Sequence, residues 1–218
     1  MPISIPEAAA ILQVSPRRVQ QLVSAGRYPA RKVGGVWMLD ADALAEPRRA
    51  GRPMSVRVAW ALLDVLSGGP GAGVSQPEQS RLRRRIRELR ELPDRSRVEQ
   101  LRSWLPNRAR RVQLSAAPPD LADLRNDGRL VLSGVSDPRS RMSSAAWVEG
   151  YAAAEHADAL RADFLMSARG RPNVVLHVVA AERPVPDVSA ALLAADLADW
   201  AGPREQAAAA RILRELLP

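Results

Sequence analysis

The first forty-four residues constrain this chain most, because helix starts, helix stops and a hairpin turn follow one another there with little room between them. Ser4 and Glu7 stand at the Ser-x-x-Glu spacing of a capping box, so a helix is expected at once, with Ala8, Ala9, Ile11 and Leu12 as its apolar face. Ser15 offers an N-cap, and Pro16 suits a first helical position whose N–H has no partner anyway. Val19, Leu22 and Val23 then fall at i, i+3 and i+4, the spacing of one buried helix face, and Gly26 fits the terminating position. Gly34-Gly35, between segments 30–33 and 36–39, predicts a two-residue hairpin. Asp40 is placed to cap one more short helix over 41–44.

Two short helices with only Val14 and Ser15 between them make a helix-turn-helix. Followed by a hairpin and a third helix, the run IPEAAAILQVSPRRVQQLVSAGRYPARKVGGVWMLDADAL resembles the winged helix-turn-helix of the excisionase and MerR families. It departs from them at Gln20-Gln21, where such proteins often carry further basic residues. The resemblance implies binding to double-stranded DNA, with the second helix in a major groove. Arg17, Arg18 and Gln21 project away from the Val19 face; Arg can fork onto guanine and Gln onto adenine. Ser15, Gln20 and Arg27 complete the set expected around that helix, and Arg31 and Lys32 on the wing are expected to meet phosphates or the minor groove.

Charge is distributed unevenly. The chain has 218 residues and a formal net charge of +8, and Lys32 is its only lysine. Residues 1–50 carry +3, residues 51–115 carry +8 and residues 116–218 carry −3, so a nucleic-acid-facing half is joined to a half with some other task. Three segments are expected: a winged helix-turn-helix over 1–47, a basic helical linker over 48–106, and a mixed α/β domain for partner binding or dimerisation over 107–218, an α+β protein as a whole. In the middle, a helix is expected over 55–66, with Val58, Leu62, Val65 and Leu66 apolar. A second begins at Ser80 with Leu82, Ile86 and Leu89 inward, and Pro93 ends it. Arg81, Arg84, Arg85 and Arg87 lie outside that face, and Arg84 and Arg85 join the DNA-contacting set as phosphate binders. The alternative is a solvated helix whose arginines pair with Glu88 and Glu91, or grip an acidic partner. A third helix is expected over 97–105, stopped by Pro106.

Beyond residue 107 the expected order is a strand over 111–115, a helical turn over 120–124, a strand over 129–136, a helix over 144–150 resuming over 157–165, a strand over 173–179, and helices over 188–200 and 205–217. The 173–179 run is continuous and β-branched, which suits the centre of a sheet. The stretches RLVLSGVSDPRS, NVVLHVV and LLAADLADWAGPREQAAAARIL resemble, in order, the C-terminal half of AbiE-type antitoxins. That resemblance implies an autorepressing antitoxin of a bacterial toxin–antitoxin pair, binding a nucleotidyltransferase toxin through this half. The antitoxins' usual N-terminal domain is a plain winged helix, unlike the one here.

Other functions are disfavoured by what is missing. The chain has no Cys, which excludes disulfides, thiolate metal sites and a Cys nucleophile, and its two histidines cannot make a His-rich metal site. Glu155, His156 and Asp158 do not converge on one side of a helix, and His177 is expected at a half-exposed strand position. No phosphate-loop or dinucleotide fingerprint is present, and the five tryptophans sit in apolar contexts that suit core packing. The expectation is therefore no enzyme, no cofactor and no metal. With no basic-then-apolar leader and no apolar run of about 20 residues, a cytoplasmic protein is expected. One helix-turn-helix covers about half a site, so a homodimer on DNA is expected. An excisionase-like architectural protein and a ligand-sensing repressor are the competing readings.

Overall fold

In a computed structural model, which describes residues 2–12, 14–24, 28, 30–40, 52–142 and 145–218, Ser4 closes its cap in both directions. The Ser4 N–H donates to Glu7 Oε2 at 2.7 Å, and the Glu7 N–H donates back to Ser4 Oγ at 3.4 Å. Helix α1 (Ile5–Leu12) starts from this box, and α2 (Pro16–Ser24) starts from Ser15, whose Oγ accepts from the Arg18 N–H at 3.3 Å. Strands β2 (Ala30–Val33) and β3 (Val36–Asp40) form the expected hairpin, with Gly34 at φ 57° and Gly35 at φ 83°, both in the left-handed region that a two-residue turn of this kind requires.

One strand was not expected. β1 (Pro2–Ser4) pairs antiparallel with β3, giving the sheet order β1-β3-β2. Its signal is three residues long and merges with the cap that follows. Ile3, Ala8, Ala9, Val19, Tyr28 and Leu39 close the core of this unit, with Leu12, Leu22 and Val23 packed against it. Ile11, expected on the apolar face, is 58% exposed. Gly26 and the helix expected over 41–44 lie outside the described residues.

The chain divides into two compact units, Met1–Ala50 and Gly51–Pro218. The breaks expected from the sequence fall after residues 47 and 106. Helices α3 (Val56–Leu66), α4 (Gln76–Arg90) and α5 (Asp94–Trp104) share one core with two helices near the C-terminus, α8 (Ala190–Ala198) and α9 (Pro203–Leu216). Leu62, Leu82, Leu101, Leu193 and Leu213 all lie in that cluster, so the helices are joined by burial of apolar surface. α4 begins one turn before the expected Ser80, from a Ser75–Glu78 capping box. Its end is held by Arg97, which donates to the Leu89, Arg90 and Leu92 carbonyls, the groups a helix C-terminus leaves unpaired.

The rest of this unit is built on a four-stranded sheet of order β4-β7-β6-β5: β4 (Arg110–Leu114), β5 (Val131–Leu132), β6 (Val148–Ala153) and β7 (Val174–Val179). β7 is interior and buried along its length, as its composition suggested. It pairs parallel with β6, the only parallel pair among the described strands. One sheet face packs on α7 (Ala154–Asp163) and the short α6 (Leu121–Arg125), through Leu114, Val148, Val174 and Leu176. Tyr151 and Val179, on the other face, join the helical core.

Two expectations fail here. The segment expected as a helix over 144–150 runs into strand β6 instead, and Ala-rich text after it hid the change. A Cβ on Gly150 would come within 2.7 Å of the Val131 carbonyl oxygen, so the strand can lie against β5 only because this residue has no side chain. The strand expected over 129–136 shrinks to Val131–Leu132, because the chain turns through a 3-10 segment, Gly134–Ser136, to bring the Val135 N–H to Glu149 Oε2 at 2.9 Å.

Candidate nucleic-acid interface

Helix α2 owes its exposed face to the burial of the opposite one. Val19 is fully buried and Leu22 and Val23 are partly buried, which fixes the rotation of the helix. At about 100° per residue, Arg17, Gln21 and Ser24 then line up opposite the core, with Arg18 and Gln20 on the two flanks. All five are exposed, and Arg18 Nη1 donates to Gln21 Oε1 at 3.4 Å. Ser24 was not among the expected residues, although its i+7 spacing from Arg17 was legible. Ser15 caps the N-terminus, and Arg27 lies outside the described residues.

The wing separates its two basic residues. Ala30 pairs with Leu39 on the buried sheet face, so alternation sends Arg31 and its partner Met38 to the outer face and returns Lys32 to the inner one. There Lys32 Nζ sits 5.5 Å from the centre of the Trp37 ring, its cross-strand partner. Both cations are exposed, but they serve opposite faces of the hairpin.

On the basic helix of the second unit, both arginines expected to bind phosphate have side-chain neighbours. Arg84 lies 3.8 Å from Glu88, one turn on, and the Arg85 guanidinium lies over the Trp104 ring at 5.6 Å, half-buried between α4 and α5. The same helical rotation places Arg83, Arg87 and Arg90 on one flank, exposed and without an ion pair among the described residues. Arg83 and Arg90 were missed, although their i, i+4, i+7 spacing through Arg87 is visible in the sequence.

The other concentration of titratable groups is sealed. Asp196 accepts from Arg108 Nη2 at 2.6 Å, Arg108 Nε at 3.1 Å and Tyr151 Oη at 2.8 Å, and also from Ser133 Oγ. Glu149 accepts from Trp200 Nε1 at 2.8 Å and stands 2.9 Å from His177 Nε2. Burial pushes the Tyr151 hydroxyl well above its ordinary range, reinforced by the Asp196 charge; burial opposes the Arg108 charge, but Tyr151, Asp196 and Asp199 hold it. His177 is therefore not half-exposed as expected but buried, stacked on Tyr151 with ring centres 4.8 Å apart. This network ties α8 to the sheet by satisfying the buried carboxylates of Asp196 and Glu149. Glu155, His156 and Asp158 are exposed on α7. Among the described residues, no group of three or more His, Asp and Glu side chains is placed to hold a metal, and no helix is long and apolar enough to cross a membrane.

A family model described as a helix-turn-helix domain matches residues 3–49. No curated protein and no solved structure matches the chain. The matched span contains α1, α2 and the hairpin, with the Arg17–Gln21–Ser24 line on its surface, which is the equipment of a DNA-binding regulator.

Proposed function

We propose that this chain is a sequence-specific DNA-binding transcriptional regulator, and that its second unit binds a protein partner as the autorepressing antitoxin of a toxin–antitoxin pair with a nucleotidyltransferase toxin. The observation that carries DNA binding is the second helix of the matched domain, capped by Ser15, with Arg17 and Gln21 held opposite a fully buried Val19. Those two side chains are of the types that fork onto guanine and adenine edges, and Arg31 is free to meet the backbone. The antitoxin reading is supported by where the stretches similar to AbiE-type antitoxins fall. They supply Ser133, His177 and Asp196 respectively, three buried members of one polar network. The likeness thus lies in residues that hold the second unit together.

The test is an electrophoretic mobility shift on the chain's own upstream region against scrambled DNA, across a salt series. Wild-type protein is expected to keep its preference for the upstream region as salt rises, and Arg17→Ala is expected to lose it by about 1–3 kcal/mol per base pair read. Equal, steeply salt-dependent binding to both DNAs would overturn the sequence-specific reading. Co-purification with the neighbouring gene product, and recovery of growth when both are expressed, tests the antitoxin role.

A further inference from the structure

β4 is an edge strand, and only part of its outer edge is occupied. The Val148 N–H donates to the Asn173 carbonyl, which turns the main-chain groups of Val175 and His177 toward β6 and those of Val174, Leu176 and Val178 toward β4. Their register partners Leu114, Val112 and Arg110 take those bonds. The N–H and C=O groups of Arg111, Gln113 and Ser115 therefore point outward. Ser115 uses both of its groups on Ser167, at 2.8 and 2.9 Å, so the edge already pairs at that position. Arg111 and Gln113 have no such partner among the described residues.

The charge at this edge is one-sided. Arg110 and Arg111 project to opposite faces of the strand, and neither has a carboxylate or carbonyl acceptor among the described residues. Arg111 lies over the Trp200 ring at 5.5 Å, with its Nε buried and unpaired. Both arginines line a groove of about 860 Å³ that continues past the end of the strand along Val178 and Ala154.

We propose that the outer edge of β4 is a docking site for an extended acidic segment of a different polypeptide, which adds a fifth strand to this sheet. Main-chain bonds to Arg111 and Gln113 give it affinity, and the arginines select its sequence. Because Arg110 and Arg111 face opposite sides, the residues facing them in the added strand are consecutive. The segment thus carries two adjacent acidic residues, next to an apolar one opposite Val112. This chain contains no two consecutive acidic residues anywhere in its sequence, so a second copy does not supply the segment. Edge arginines can also serve only to repel other strands, and the experiment separates the two roles.

The probe is a fluorescein-labelled Thr-Val-Glu-Asp-Val-Thr peptide titrated onto the full chain, with Thr-Val-Gln-Asn-Val-Thr as its neutral counterpart. The acidic peptide is expected to bind about tenfold tighter, two exposed charge pairs together being worth roughly that factor. Binding is expected to slow hydrogen exchange at the Arg111 and Gln113 amides. R110Q/R111Q should erase the preference between the peptides. Gln113→Pro should block both, because its N–H faces outward and its loss leaves the β7 ladder intact. Equal binding of the two peptides, or unchanged exchange at Arg111 and Gln113, would overturn the proposal. So would self-association of the chain that Gln113→Pro removes, since the occupant would then be a second copy.

Discussion

Asp196 is the point at which the buried network can be tested most sharply. Its carboxylate is fully buried and accepts two bonds from Arg108, one from Tyr151 and one from Ser133. Asp196→Leu removes all four while leaving Arg108 at 3% exposure, with Asp199, the Leu105 carbonyl and the Tyr151 hydroxyl as remaining acceptors. Breaking a buried pair by removing one partner costs about 3–5 kcal/mol, and the retained Asp199 pairing places this case near the lower half, at ~3–4 kcal/mol. For a unit of this size each kcal/mol shifts the melting temperature by about 2–4 °C, so a fall of roughly 10 °C is expected. Urea unfolding followed by tryptophan fluorescence measures it directly, because Trp60 and Trp200 border the network. The double variant Arg108→Met, Asp196→Leu removes the fully buried pair and leaves Asp199, 14% exposed, as the one carboxylate without its partner, so it is expected to recover part of the loss. A change below about 1 kcal/mol in Asp196→Leu, or a double variant as unstable as the sum of its singles, would refute the reasoning.

Gly150→Ala is expected to destabilise the second unit by about 1–3 kcal/mol, because its methyl group meets the Val131 carbonyl; thermal melting checks it. The Arg57 side-chain bond, followed by the Ser75 bonds, holds Glu78 down to about 2, and Arg129 holds Asp127 down to about 2. Carboxylates lowered on folding stabilise above their unfolded values, so melting temperature should fall as pH drops from about 4.5 toward 2, and Arg57→Gln together with Arg129→Gln should flatten that fall. In DNA binding, R83Q/R87Q/R90Q is expected to reduce the slope of log affinity against log salt by about 0.9 for each phosphate no longer neutralised, whereas R84Q/R85Q should change it far less. A filter-binding salt series on non-specific duplex reads both.

What the sequence determined by itself was local. Ser4 with Glu7, Ser15 with Pro16, and Gly34-Gly35 each act within four residues, where hydrogen-bond rings close without help from the rest of the chain. The core faces of α2 and α4 followed from helical periodicity, and the central place of β7 from an unbroken β-branched run. Tertiary structure decided the rest. Val148–Ala153 carries no decisive local preference, and becomes a strand because β7 and β5 offer main-chain partners on both sides. β1 exists only because β3 comes back to meet it. The fates of charged residues were equally non-local: Arg85 covers Trp104 from the next helix, and Arg108 meets Asp196, which lies far along the sequence on another element. A charge in a sequence does not reveal whether it is solvated or buried, because that depends on which partner the fold brings within hydrogen-bond reach.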